Sequence, residues 1–190
     1  MQTNYLTPEE GQLLIKLARE NISTYLKGGE FSQPNNLPEK FYEHLGVFVT
    51  LSINSNLRGC IGYPEPYMPL IEGLLDVSIA AALEDPRFNP LSLKELDNVQ
   101  IEVSVLTKPT IITIDNYEDY FSLIKVGRDG LIIENSYHRG LLLPQVPVEQ
   151  KWDVKTYLEN LCYKAGLHQN SWKDEKTKIY SFQAQIFNEK

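Results

Sequence analysis

A chain of 190 residues with 42% hydrophobic content has enough apolar side chains for a sizeable core and excludes a disorder-like composition. Its net charge of −7 is a poor match to phosphate backbones, so nucleic acid is not an expected partner and an RNA-associated subunit is the weakest functional alternative. Two cysteines exclude a disulfide framework, no apolar run suits a membrane span, and Met1-Gln2-Thr3-Asn4 lacks the features of a signal peptide, so a cytoplasmic protein is expected.

Thr7-Pro8-Glu9-Glu10 reads as a helix start, with Thr7 as cap, Pro8 at the first helical position and Glu10 closing a capping box. Leu14, Leu17, Ala18, Ile22, Tyr25 and Leu26 follow at helical spacing, and Gly28-Gly29 ends the element. Residues 31–38 form a polar connector, and Pro38-Glu39-Lys40-Phe41 opens one short turn. Val47, Val49, Leu51 and Ile53 then alternate with polar or aromatic neighbours, which predicts a strand. Asn54-Ser55-Asn56 supplies turn chemistry, so residues 57–61 are the return strand of a hairpin.

Tyr63-Pro64-Glu65-Pro66-Tyr67 is a stiff loop. Leu70, Ile71, Leu74, Leu75, Ile79, Ala80 and Leu83 mark a largely buried helix that stops before Pro86. Ser92 and Glu95 repeat the capping-box spacing. Val99, Ile101, Val103 and Val105 alternate with Gln100, Glu102 and Ser104, predicting a half-buried strand.

Residues 110–114 are β-prone, and Tyr117 to Ser122 reads as a short helix. Gly127-Arg128-Asp129-Gly130 between two apolar runs carries a hairpin signal, so residues 110–148 read as a β-rich insertion or second lobe. Gly140 to Glu149 is a stiff apolar strip, read first as core packing. Asp153 caps a helix with Val154, Tyr157, Leu158, Leu161, Cys162 and Ala165 on its inner face, stopped by Gly166. A final strand alternates through Tyr180, Phe182, Ala184 and Ile186. Helices and strands mix without βαβ regularity, which predicts an α+β fold with a mainly antiparallel sheet flanked by helices.

Chemistry concentrates in Leu57-Arg58-Gly59-Cys60-Ile61-Gly62. Cys60 is the candidate nucleophile, and Arg58, two residues away on the same strand face, would favour its thiolate. The competing reading is that a free cysteine is a small buried hydrophobe, and Cys162, on an apolar helix face, takes that reading. Arg58, Gly59, Ile61 and Gly62 form a candidate ligand edge of arginine and backbone. Arg87 either joins them or pairs with Asp85 to fix the turn at Pro86, and the latter is favoured. His138 and Glu134 are the candidate proton carriers for Cys60, although a solvated turn histidine is the default for His138. His44, His138 and His168 form no local metal-ligand pair. The chain has no HExxH, CxxC, Walker, GxSxG or GxGxxG motif, so no metal or other cofactor is expected.

Five blocks in order resemble the AMMECR domain family: residues 57–62, Asp85-Pro86-Arg87-Phe88 with Pro90 and Leu91, residues 126–131, residues 140–149 followed by Trp152-Asp153, and residues 161–167. The family takes its name from a human chromosomal-region syndrome and also occurs in archaea and bacteria; an archaeal member is expected. The resemblance implies a single domain over residues 1–190 with two lobes and a cleft between them. The larger lobe is expected over 1–109 plus 149–190 and the smaller, β-rich lobe over 110–148. It carries no established activity. Some members are joined to Memo-like or radical-SAM domains, which implies association with enzymes. The leading functional expectation is a binding or accessory module that holds a small anionic ligand, a peptide or a partner in the cleft beside residues 57–62. The alternative is a thiol enzyme with Cys60 as nucleophile, acting with such a partner.

Overall fold

The computed structural model describes residues 5–189, so the reading of Met1 to Asn4 lies outside the described residues. The chain divides into two compact units, Met1–Leu106 with Gln185–Lys190, and Thr107–Ala184. Strands pair antiparallel within each, giving the expected α+β class.

The first unit opens with α1 (Pro8–Leu26), where Thr7 and Glu10 complete the predicted capping box. Gly28, at φ 77°, ends the helix as the sequence predicts. A short 3₁₀ turn (Glu39–Tyr42) precedes β1 (Gly46–Ile53) and β2 (Asn56–Tyr63). Asn54 and Ser55 take φ 50° and 63°, the left-handed pair that joins two twisted strands tightly. Next come α2 (Leu70–Leu83), a single turn α3 (Leu93–Leu96) capped by Ser92 and Glu95, and β3 (Gln100–Leu106). The order is β2-β1-β3, with β3 followed by the end of the final strand. Val47, Val49 and Leu51 of β1 and Ile101, Val103 and Val105 of β3 are buried in one core with Leu14, Ala18, Ile22, Leu70, Leu74 and Val77 of the two long helices. Because strand side chains alternate, Thr50, Ser52 and Glu102 project from the opposite face.

Arg19 ties the chain end to this core. Its guanidinium clasps Glu189 and donates to the carbonyls of Leu96, at 3.1 Å, and Val99, at 2.5 Å. These bonds hold the turn between α3 and β3.

The second unit contains β4 (Thr110–Ile111), a 3₁₀ turn (Tyr117–Asp119) leading into α4 (Tyr120–Leu123), β5 (Asp129–Asn135), β6 (His138–Leu142), α5 (Gln145–Glu149), α6 (Val154–Lys164) and a 3₁₀ turn (Ser171–Lys173). The last strand, β7 (Lys178–Asn188), begins here and ends in the first unit. β5 pairs with β6 and β7, and β4 pairs with β7. The hairpin lies at Ser136-Tyr137, not at Asp129-Gly130. Ser136 takes φ 55° there. The Asp129 carboxylate instead closes a turn, accepting the Lys125 N–H at 2.8 Å and the Arg128 guanidinium at 2.7 Å. Residues 140–149 are part strand and part helix, with Pro144 and Pro147 buried.

The sequence-based division set residues 149–184 with the larger lobe, whereas the compact second unit includes them. Its core explains why: Tyr157, Leu158 and Leu161 of α6 are buried with Leu131, Ile133, Trp172 and Ile179. The Tyr157 hydroxyl donates to the Leu142 carbonyl at 3.1 Å, fixing α6 to the end of β6. Tyr117, Tyr120 and Phe121 meet the Trp172 ring edge-on, the favoured aromatic geometry.

Candidate functional site

Cys60 is a free thiol on β2, half-buried, directly opposite Thr50 of β1. The Thr50 hydroxyl donates to Sγ at 3.3 Å. The next strand places Glu102 opposite Thr50, so Cys60, Thr50 and Glu102 form a row across three strands on the face away from the helices.

β2 is the outer strand of its sheet, and the backbone of Cys60 points to its open side. There the loop after α2 takes the place of a further strand. The buried carboxylate of Asp85 accepts the Cys60 N–H at 2.8 Å. Arg87 donates to the Cys60 carbonyl at 3.2 Å and grips Asp85 through Nε at 2.9 Å and a terminal nitrogen at 2.6 Å. The guanidinium beside Asp85 holds its carboxyl far below the ordinary range, against the opposing effect of burial. Two loop residues thus satisfy both open backbone groups of Cys60, a blunting of the strand edge.

Arg58 lies two residues before Cys60, at an irregularity of the β1–β2 register where Leu51 pairs with Gly59 and Ser52 with Leu57. Its Nε donates to Glu95 at 3.1 Å. Glu95 also accepts from the Ser92 N–H and hydroxyl. Those bonds, the backbone N–H first, lower its pKa from 4.5 to about 2. Phe88 lies beside both arginines, its ring centroid 6.0 Å from the Arg58 guanidinium carbon and 5.6 Å from that of Arg87. Among the described residues, no hydrogen-bond acceptor meets the two terminal nitrogens of Arg58 or the second terminal nitrogen of Arg87. Two fixed guanidiniums around one ring therefore retain free donors.

The glycines of this segment answer to packing within the unit. A Cβ on Gly59 would lie 2.1 Å from the Ala81 carbonyl oxygen, so glycine lets α2 approach β2. A Cβ on Gly62 would meet the Phe48 ring at 2.3 Å. Ile61 packs on the first core.

Glu134 and His138 belong to the second unit. Glu134 pairs with Arg139 at 3.0 Å, and His138 Nδ1 lies 3.0 Å from the Ala165 carbonyl. Cys162 is fully buried, and burial pushes its thiol pKa up. Among the described residues, no group of three His, Cys, Asp or Glu side chains could hold a metal ion. None of the described helices is long and apolar enough to cross a membrane. Thr50, Phe88 and Glu102 are neighbours of the segment that its sequence does not reveal. Period-two alternation puts Thr50 and Glu102 on outward faces, but only strand pairing brings them into line.

The AMMECR1 family profile matches residues 15–187. The chain belongs to the AMMECR1 family. A protein of Methanothermobacter thermautotrophicus is 50% identical over 185 residues, covering 97% of this chain and 96% of the relative. Protein MJ0810 of Methanocaldococcus jannaschii is 52% identical over 186 residues, covering 97% and 92%. The crystal structure of the uncharacterized protein PH0010 from Pyrococcus horikoshii superimposes with a TM-score of 0.82 at 48% identity, covering 97% of this chain and 94% of that one. The two most distinctive blocks of this AMMECR1-family chain, residues 57–62 and 85–88, meet at the Cys60 backbone.

Proposed function

We propose that this AMMECR1-family protein is a cytoplasmic binding or accessory module. Arg58, Phe88 and Arg87 form a shelf on its first unit that holds a carboxylate of a small acid or of an acidic partner peptide. The observation that carries the reading is the pair of guanidiniums fixed around Phe88 with donors unspent. Arginine forks suit carboxylates, and side chains already fixed lose less entropy when a ligand arrives. Asp85 and Glu95 balance the two positive charges, which favours a singly charged carboxylate over a phosphate dianion. Thermal-shift and calorimetric titration with mono- and dicarboxylic acids and an acidic peptide tests this. A carboxylate is expected to stabilise the wild type and to lose that effect in Arg58→Ala. If none stabilises the wild type, or Arg58→Ala binds equally well, the shelf is not a binding site.

The Thr50–Cys60 contact favours a second reading, thiol chemistry at Cys60. A hydroxyl donating to sulfur stabilises a thiolate, the nucleophilic form. The pH dependence of Cys60 alkylation tests it. Half-maximal reactivity well below the free-thiol value of about 8.5 supports a nucleophile, and a value at or above it sinks the reading.

A further inference from the structure

The outer face of the first unit carries a cavity that neither reading uses. It has a volume of about 370 Å³, and its polar wall is formed by Thr50, Ser52, Gln100, Glu102, Asn188 and Glu189, with Leu57 at one side. This volume is within the range of small-molecule sites. Every residue that lines it belongs to the first unit.

Its charge is one-sided. Glu102 and Glu189 are its titratable residues, and no Lys, Arg or His among the described residues lines it. Glu189 is compensated, because Arg19 clasps it and the Ile101 N–H donates to it at 3.0 Å. Glu102 is not. It projects from β3 between the core residues Ile101 and Val103, and among the described residues no hydrogen bond or ion pair meets its carboxyl. Burial raises its pKa, the response of a carboxyl taken from water without a partner.

Acceptors surround it. Thr50 spends its proton on Cys60 Sγ, which leaves the hydroxyl oxygen able to accept. Ser52 and the amide oxygens of Gln100 and Asn188 add further acceptors. A carboxylate without a counter-charge among neutral acceptors complements a cation with several N–H donors. Leu57, with 43% of its surface exposed, offers an apolar contact for a short carbon chain. A metal ion fits poorly, since no set of three ligating side chains exists among the described residues.

We propose that this cavity binds a primary ammonium group, with Glu102 as counter-ion, Thr50 and Ser52 as acceptors, and the adjoining methylenes against Leu57. The site is independent of the Arg58–Phe88–Arg87 shelf and has the opposite charge preference. The ammonium has two chemical sources, a free amine or a lysine side chain of a partner.

Calorimetric titration of the full chain at physiological salt tests this, with 1,4-diaminobutane and Nα-acetyl-lysine methylamide as probes. At least one probe is expected to bind saturably, and the tighter of the two identifies the source. Glu102→Gln, which keeps the shape and removes the charge, is expected to weaken binding about tenfold or more. Thr50→Val is expected to weaken it about threefold or more. Glu72→Gln, at an exposed carboxylate of α2, is expected to bind as the wild type does. No saturable binding of either probe up to about 10 mM overturns the proposal. Equal binding by Glu102→Gln also overturns it, as does equal weakening by Glu72→Gln, the mark of general attraction to an acidic protein.

Discussion

Asp85 Oδ2 accepts the backbone N–H of Cys60 at 2.8 Å, and the arginine that grips the same carboxylate donates to the Cys60 carbonyl at 3.2 Å. A loop side chain thus occupies the hydrogen-bonding position that a neighbouring strand would fill. With 2% of its side chain exposed, Asp85 has no water to fall back on. Asp85→Ala leaves the Cys60 N–H without its acceptor and Arg87 without its carboxylate, its bond to the Cys60 carbonyl alone remaining. It is expected to cost about 2–3 kcal/mol in urea unfolding. A loss below about 0.5 kcal/mol would mean that the loop does not hold the strand. Arg87, more than half exposed, is expected to cost less when replaced by Ala.

The same carboxylates set the acid limb of stability. Asp85 and Glu95 both have folded pKa values below their unfolded ones, Asp85 through Arg87 and Glu95 through the Ser92 N–H. The unfolded chain therefore binds more protons in this range, and stability falls as the pH falls. The contribution of Glu95 is complete above its unfolded value of 4.5 and is lost as the pH drops towards about 2. Melting temperature measured between these limits should fall less steeply in Glu95→Gln than in the wild type.

Glu102 acts with the opposite sign. Burial raises its folded pKa above the unfolded 4.5, so the folded state holds the proton longer. Its penalty is absent in acid, grows as the pH rises from the unfolded to the folded value, and persists above it. Glu102→Gln should therefore match the wild type in acid and melt higher at neutral pH. A lower melting temperature at neutral pH would show that the carboxylate has a stabilising partner.

Much of the fold is legible in the sequence because its signals are local. The Thr7 and Ser92 capping boxes, the stops at Gly28 and Gly166 and the Asn54-Ser55 turn each depend on residues a few positions apart. Gly127-Arg128-Asp129-Gly130 carries a hairpin signal in the sequence, but the positive φ falls at Gly127, while Asp129 and Gly130 already pair with β7 as the start of β5. Asp129 is committed to Lys125 and Arg128, and Ser136-Tyr137 turns the chain instead. At the candidate site, Arg58 and Cys60 could be read from their own segment. Thr50, ten residues before Cys60, and Glu102, two strands over, come into line through antiparallel register, which alternation alone does not specify.

The two cysteines should separate by reactivity. Cys60 is half-buried at the strand face, whereas Cys162 has no exposed surface and a thiol pKa raised by burial. Iodoacetamide applied to the folded protein at pH 8 should add one equivalent, at Cys60, and a second only after denaturation. Intact mass followed by peptide mapping reads this directly. Two equivalents without denaturant would place Cys162 in a locally opening segment.

Gly59 offers the sharpest test of how the segment is positioned. A methyl group there would lie 2.1 Å from the Ala81 carbonyl oxygen, a backbone atom of α2 that no rotamer change can move. Gly59→Ala must push β2 away from the helix and is expected to cost about 2–4 kcal/mol. Gly29→Ala is the control. Its new methyl would lie 3.1 Å from the Thr24 methyl group at an exposed helix end, and a change within about 0.5 kcal/mol is expected. The displaced strand also carries the Cys60 backbone away from Asp85, so Gly59→Ala should expose the Cys60 amide to hydrogen exchange. A destabilised variant in which that amide stays protected would show that the helix approach and the Asp85 clasp are set independently.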